Sequence, residues 1–255
     1  MIFLILLPFI NNKKIKLVPG SILIIRLDAI GDYVLFRNFI KILKESTKYK
    51  NYKITLCGNI AWKELAENLD KDVVENFIWI NRKNFYGNLI YKYRILKQIH
   101  NSGFEIAVET TYSREILFGD EIIKVSGAVE RIGNTGSLDK HAKWKRNLFS
   151  DKWYTKLIRS KENNLFEFYR NKEFFSNILE TNTEIKKPSI DVSDIYFTKL
   201  SDKKYIVLFP GGSSQKRRWD INNFLEIARY ILDNSDYYII IDGSKKEIRL
   251  TQYIW

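Results

Sequence analysis

The chain has few of the residues that build covalent cross-links and soft metal centres. Its 255 residues include one cysteine, Cys57, and two histidines, His100 and His141. A lone thiol excludes an intramolecular disulfide and any cysteine-based metal centre within one chain. Two histidines argue against a His-rich metal site and leave carboxylates as the remaining ligands for a hard ion such as Mg²⁺. Neither histidine stands in a recognisable nucleophile setting, so a Ser-His-Asp arrangement has no support. A bilayer-spanning run is also lacking: the apolar stretch at residues 1–10 is interrupted by Pro8 and is too short to cross. Lys13, Lys14 and Lys16 follow that stretch, the reverse of a signal peptide's order. Residues 1–19 therefore read as a short helix lying in a membrane interface, its lysines reaching anionic headgroups. A disordered or core-docked terminus is the alternative. No zinc-finger or RNA-recognition signature is present, so no nucleic-acid partner is expected.

What the chain has in excess is positive charge. The formal net charge is +12 and the sequence pI about 9.5, which suits anionic partners such as nucleotide phosphates or an acidic membrane face. The many Lys, Asn and Ile residues are equally explained by a biased genome. Length and a 45% hydrophobic share provide for one large or two modest domains.

The chain is organised around residues 21–36. Residues 22–25 are an apolar β-branched run, which predicts a buried strand. The chain then turns at Gly31, and from Asp32 onward Val34, Leu35, Phe39, Ile40 and Leu43 recur at helical spacing. In an open α/β sheet ligands bind at the carboxyl ends of strands, which places Asp28 and Asp32 where chemistry is done. An Asp in the first turn of a helix also caps free N–H groups, and both readings of Asp32 stand. Further strands are predicted at 52–57, 77–80, 104–108 and 131–133, with helices at 61–68, 89–100, 114–125 and 163–179. This alternation predicts a parallel, doubly wound sheet. Residues 134–156 are basic and aromatic, with Trp144, Trp153 and Tyr154, and read as a solvated loop with packed aromatics. Residues 181–194 read as a linker, and the domain boundaries are set at 20–185 and 186–255.

The second half opens with a strand at 205–209 that runs into Pro-Gly-Gly-Ser-Ser-Gln-Lys-Arg-Arg-Trp, residues 210–219. Gly211 and Gly212 allow close backbone approach, Ser213 and Ser214 offer hydroxyls, and Lys216, Arg217 and Arg218 bring charge. These parts suit a diphosphate, although an exposed basic loop has the same composition. The loop is neither a Walker A nor a Gly-x-Gly-x-x-Gly motif. Glu247, after Gly243, is placed to bind ribose hydroxyls or simply to sit solvated at a helix start.

Residues 22–32, Ile-Leu-Ile-Ile-Arg-Leu-Asp-Ala-Ile-Gly-Asp, together with residues 209–219 and the weaker Ile-Asp-Gly-Ser-Lys-Lys-Glu at 241–247, resemble glycosyltransferase family 9. That family holds the ADP-heptose:lipopolysaccharide heptosyltransferases. The resemblance implies a GT-B fold of two Rossmann-like domains facing each other across a cleft. It implies inverting, metal-independent transfer from a nucleotide-sugar to a lipopolysaccharide or surface-glycan acceptor, with no cofactor beyond the donor itself. Asp32 falls at the position of the base. Asp28, Gly31 and Arg37 fall on the acceptor side. Gly211, Gly212, Ser213, Lys216, Arg217 and Glu247 fall on the nucleotide-sugar side, with Arg217 where the family has a Lys. The expected location is cytoplasmic, peripheral on the inner membrane. The family's pattern continues beyond the point matching Trp255, so the second Rossmann-like domain is expected to be incomplete. A truncated, inactive remnant that binds glycan, nucleotide or partner subunits is the alternative function.

Overall fold

The computed structural model describes residue 10 and residues 15–136, 140–160, 165–185, 187–190, 202, 204–212 and 214–243. The chain divides into two units, Met1–Asp191 and Val192–Trp255. The division falls inside the expected linker. Residues 187–190 stay with the first unit, where the Ser189 carbonyl accepts from Arg37 and Asn38, each at 3.0 Å.

In chain order the first unit contains β1 (Val18–Arg26), α1 (Ile30–Phe36), α2 (Asn38–Glu45), β2 (Lys53–Asn59), α3 (Lys63–Leu69), β3 (Asn76–Ile80), α4 (Arg82–Gly87), α5 (Leu89–Ser102), β4 (Phe104–Glu109), α6 (Gly119–Ser126), β5 (Glu130–Asn134), α7 (Lys140–Leu148), β6 (Lys156–Ile158) and α8 (Glu167–Leu179). Its six strands form one sheet in the order β3-β2-β1-β4-β5-β6, and every pair is parallel. Both faces are covered, as a parallel sheet requires. The period of two along β1 sorts its side chains. Ile22 and Ile24 enter a core with Phe36, Phe39, Phe168 and Phe175, while Leu23 and Ile25 enter a second with Leu96, Ile99, Ile122 and Ile123. Ile10 is buried in that second core, and Lys97 Nζ donates to its carbonyl at 2.9 Å. Of residues 1–19, on which the interfacial helix was expected, residues 1–9 and 11–14 lie outside the described residues, while Ile10 is docked on the core and Val18 and Pro19 already belong to β1.

Local chemistry sets the element ends. Asn81 and Asn88 accept from the backbone N–H groups of Asn84 and Tyr91, each at 3.0 Å, and so start α4 and α5. Gly103 ends α5 at φ +65°, and a Cβ there would meet the Lys16 carbonyl at 2.1 Å.

The five expected strands of this unit are present. Residues 134–156, expected as a loop, instead hold α7 and lead into β6, which pairs with β5 from Ile132↔Lys156 onward. The helix expected from residue 114 begins at Gly119, because Arg114 is buried against Asp120 and Asp151. The turn after β1 is made by residues 27–29. Gly31 lies inside α1, outside the positive-φ region, and a Cβ there would meet nothing within 4 Å. Its lack of a side chain therefore does not serve the turn.

In the second unit β7 (Tyr205–Leu208) and β8 (Tyr238–Ile241) are parallel and joined through α9 (Ile221–Asn234), a βαβ half of a Rossmann-like domain. Asp220 caps α9 by accepting from Asn222 N–H at 2.8 Å.

Candidate functional site

β1 and β4 are neighbours although two strands, β2 and β3, lie between them in sequence, and the strand order reverses between them. Ligands of open α/β sheets bind at such a switch point, beyond the carboxyl ends of the strands. Residues 27–29 leave β1 at this place. Trp62 Nε1 donates to the Asp28 carbonyl at 3.0 Å, and Asn59 Nδ2 donates to the Leu27 and Asp28 carbonyls at 3.3 Å. The loop is thus held from the end of β2.

Arg26, the last residue of β1, is fully buried and is the hub of the site. Its Nη1 donates to the Thr110 carbonyl and Asn171 Oδ1 at 3.2 Å, and its Nη2 to Glu167 Oε1 at 2.9 Å. Its Nε lies 3.1 Å from Asp28 Oδ2, an ion pair without hydrogen-bond alignment. The guanidinium also lies 5.3 Å from the centroid of the Phe36 ring. One side chain therefore ties β1, the residue after β4, and α8 together and aims Asp28. Burial raises the Asp28 pKa, Arg26 opposes that rise, and the charges of Asp32, Glu167 and Glu115 add to it.

Asp32 stands in the first turn of α1, half-buried. The expected cap is not made: α1 has no side-chain cap hydrogen bond, and among the described residues nothing donates to this carboxylate. The fixed partial charge of the helix start remains as its favourable environment.

Beside Asp28 lies a small open pocket of about 10 Å³, room for about one water, walled by Arg82, Glu109, Thr111, Glu115 and Phe118. Glu109 ends β4 and is 1% exposed. Its Oε1 accepts from Thr111 N–H at 3.0 Å, while Oε2 has no partner and packs against Gly119, where a Cβ would lie 2.2 Å away. Burial pushes the Glu109 pKa up to about 8, against the lowering bond from Thr111. On the exposed rim Arg82 Nη2 donates to both Glu115 oxygens at 2.8 and 2.7 Å, and Tyr86 OH donates to Glu115 Oε2 at 3.0 Å. Deeper, Tyr154 OH donates to Asp120 Oδ1 at 2.5 Å, and the Arg114 guanidinium lies 4.5 Å from the Tyr154 ring centroid.

Arg37, expected on the acceptor side, is used elsewhere. It is buried; its Nη2 donates to Asp70 Oδ1 at 2.7 Å and to the Leu69 carbonyl at 2.8 Å, and its Nη1 to the Ser189 carbonyl at 3.0 Å. Asp70 also accepts from Tyr33 OH. This network braces α1 and α2 and engages the Arg37 guanidinium.

In the second unit the predicted loop follows β7. A short 3₁₀ turn, Gln215–Arg217, carries Lys216 and Arg217 on the exposed surface. Arg218, given no individual role from sequence, folds back, and its Nε and Nη2 donate to the Gly212 carbonyl at 3.1 and 3.0 Å. Gly211 and Gly212 precede this clasp. Ser213 and Glu247 lie outside the described residues. Among the described residues no group of three His, Cys, Asp or Glu is arranged to hold a metal ion, and no helix is long and apolar enough to cross a membrane.

The sequence matches no protein-family model and no curated protein. Solved structures do match. A glycosyl transferase family 9 protein from Veillonella parvula DSM 2008 aligns with a TM-score of 0.66 at 14% identity, over 94% of this chain and 68% of that one. The E. coli heptosyltransferase WaaC, solved with ADP-2-deoxy-2-fluoro heptose, aligns with a TM-score of 0.68 at 10% identity, over 92% of this chain and 72% of that one. The fold is that of the family 9 glycosyltransferases. It is α/β and GT-B-like, with one full Rossmann-like unit and a second represented by its β7-α9-β8 half.

Sequence reasoning named Asp28 and Asp32 at the switch point but gave no role to Arg26, Glu109, Glu115 or Arg82. Glu109 carried a usable signal: it directly follows the apolar run 106–108, where a strand of an open sheet delivers its last side chain to the ligand side.

Proposed function

We propose that this protein is an inverting glycosyltransferase that moves a sugar, a heptose or a close relative, from a nucleotide-sugar to a lipopolysaccharide or other surface-glycan acceptor. The observation that carries the reading is the carboxylate of Asp32, to which nothing donates among the described residues. It sits next to Asp28 at the switch point of a fold shared with a heptosyltransferase solved with an ADP-heptose analogue. A general base must be uncommitted, and a carboxylate to which no described residue donates fits that task.

In this mechanism the acceptor hydroxyl gives its proton to Asp32 as its oxygen attacks the anomeric carbon. The bond from that carbon to the diphosphate oxygen breaks, and the nucleoside diphosphate leaves from the opposite face, which inverts the centre. Arg26 holds Asp28 where it orients the acceptor. Gly211 and Gly212 admit the diphosphate, Ser213, Lys216 and Arg217 meet its charge, and Glu247 takes the ribose. No metal is required, because side-chain cations neutralise the leaving group. A lipid-linked acceptor would place the protein against the cytoplasmic face of the inner membrane, where its positive charge is favourable.

The test is nucleoside diphosphate release from a panel of nucleotide-sugars, ADP-heptose included, in the presence of glycan acceptors. Asp32→Asn should lower turnover roughly 100-fold or more while leaving nucleotide binding and the thermal midpoint unchanged. Full turnover in Asp32→Asn would refute the assignment of the base.

A further inference from the structure

Charge is unevenly spread over the first unit. From Asn76 to Phe104 the chain carries Arg82, Lys83, Lys92, Arg94 and Lys97 and no acidic residue. This stretch supplies α4 and α5. Lys92 is buried with Glu121, Arg82 is held by Glu115, and Lys97 donates to the Ile10 carbonyl. Lys83 and Arg94 are exposed, and among the described residues neither forms an ion pair. The same surface exposes apolar side chains. Ile90 is 66% exposed, and Tyr86 and Leu89 are nearly half exposed. Helical spacing puts Arg94 one turn beyond Ile90 and Lys83 one turn before Tyr86. Exposed Leu117 borders them, since the ring of the next residue, Phe118, lies 5.5 Å from that of Tyr86.

α7 repeats the pattern with its polarity reversed. Its sequence, Lys-His-Ala-Lys-Trp-Lys-Arg-Asn-Leu, holds four Lys or Arg and no acid. Yet Arg146 is 3% exposed, whereas Trp144 and Leu148, one turn apart, are 63% and 47% exposed. A helix that buries a guanidinium and turns an indole outward has placed its apolar stripe away from the core. The loop at residues 110–118 lies between the two surfaces. Its Glu115 accepts from Arg82 and Tyr86 of α4, and its Arg114 donates to Asp151, just beyond α7. Exposed apolar groups of this density mark an interaction surface.

We propose that the exposed apolar residues of α4, α5 and α7 form a docking surface for an anionic lipid bilayer. Leu89, Ile90, Trp144 and Leu148 enter the boundary between headgroups and acyl chains, where an indole is favoured. Lys83, Arg94 and Lys145 meet the lipid phosphates, their stems lying along the apolar layer. Nucleic acid would satisfy these cations but leave the aliphatic side chains in water. Residues 1–9, Met-Ile-Phe-Leu-Ile-Leu-Leu-Pro-Phe, are all apolar and join Ile10, which Lys97 holds on α5. The experiment therefore separates their contribution from that of the helices. The proposal deepens the reading of a lipid-linked acceptor by naming the face that meets the membrane. Lipid binding requires no transfer, so the two can fail independently.

The full chain is sedimented with vesicles of phosphatidylcholine and phosphatidylglycerol, about three to one, and with vesicles of phosphatidylcholine alone. Binding to the mixed vesicles should be roughly tenfold tighter or more, and should weaken as salt is raised. The paired changes Leu89→Ser with Ile90→Ser, and Trp144→Ser with Leu148→Ser, should each lower it about tenfold. Lys83→Glu with Arg94→Glu should lower it by a similar factor. All these side chains are exposed, so the thermal midpoint should not move. Val129→Ser, also at an exposed apolar residue but at the amino end of the sheet, should bind as the parent does. Full binding in either apolar variant would overturn the proposal. So would equal binding to both kinds of vesicle, or a loss in Val129→Ser as large as theirs. Binding that vanishes only when residues 1–9 are removed would assign the lipid contact to that segment and overturn it too. A dimer that both apolar variants disperse, with no lipid binding, would give the surface to a second copy of the chain and do the same. Vesicle binding without transfer from any nucleotide-sugar would remove the enzyme reading and leave the docking surface standing. Transfer to a soluble acceptor without vesicle binding would do the opposite.

Discussion

Glu109 gives a pH dependence that can be worked out from its surroundings. In the unfolded chain its carboxyl has an ordinary pKa of 4.5, whereas in the folded chain burial holds it near 8. The folded state thus binds a proton that the unfolded state releases. The resulting stability is complete below pH 4.5, declines as pH rises between the two values, and is lost once pH has passed about 8. The slope inside that window is about 1.4 kcal/mol per pH unit. Between pH 6 and pH 8 the loss comes to roughly 2 kcal/mol after allowing for the flattening near the upper value. Glu109→Gln keeps an oxygen for the Thr111 N–H and cannot ionise, so it should remove that part of the pH dependence. The measurement is urea unfolding of both proteins at pH 6 and pH 8, followed by hydrogen exchange at the amides of β1 and β4, which belong to the unit that holds Glu109. Glu121, raised to about 7 by burial against the opposing pull of Lys92, titrates in both proteins and cancels in the comparison. An equal fall in stability for the variant and the parent would refute the reasoning, as would a parent more stable at pH 8 than at pH 6 by an amount the variant shares.

Three further outcomes are expected. Gly31→Ala should stabilise the first unit by about 0.5–1 kcal/mol, because a helical glycine with open space around it gains from a methyl group. It should also lower transfer, because the methyl stands beside Asp32; chemical denaturation and turnover measured on one preparation would check both. Arg26→Met should destabilise by about 3 kcal/mol, the lower end for a broken buried ion pair, because both carboxylate partners are partly exposed. Arg26→Lys should not restore that loss, since one ammonium cannot reproduce the fork. Lys216→Ala should weaken nucleotide-sugar binding about tenfold and reduce its salt dependence, with the folding midpoint unchanged; calorimetric titration at two ionic strengths would decide it.

The alternation of elements was readable because the strands of a parallel sheet are covered on both faces and stand out as continuous apolar runs, as at residues 22–25 and 104–108. β6 was not readable in this way. Only three residues long, with Lys156 exposed at its start, it owes its existence to pairing with β5. α7 was hidden because its sequence is strongly polar and Trp144 faces solvent. The helix expected at residue 114 failed for a tertiary reason, the burial of Arg114 against two acidic partners. The candidate site divides similarly. Asp28 and Asp32 were visible because strand, loop and helix are consecutive there. Arg26 and Glu109 belong to strands about 80 residues apart and acquire meaning only when Ile25 pairs with Glu109 across the sheet. The bonds of Arg37 were not readable either, because its position near the motif says nothing of Asp70, its partner from the end of α3.

The pocket's walls come from stretches widely separated along the chain, the ends of β1 and β4 and the start of α4, so they meet only in the assembled sheet. An unfolded molecule offers no such site to a ligand. Any compound that settles there must stabilise the fold by mass action, by about 2.7 kcal/mol at a hundredfold excess over its dissociation constant, and so raise the melting temperature. A library of glycans screened by thermal shift can therefore find the natural occupant before any reaction has been observed.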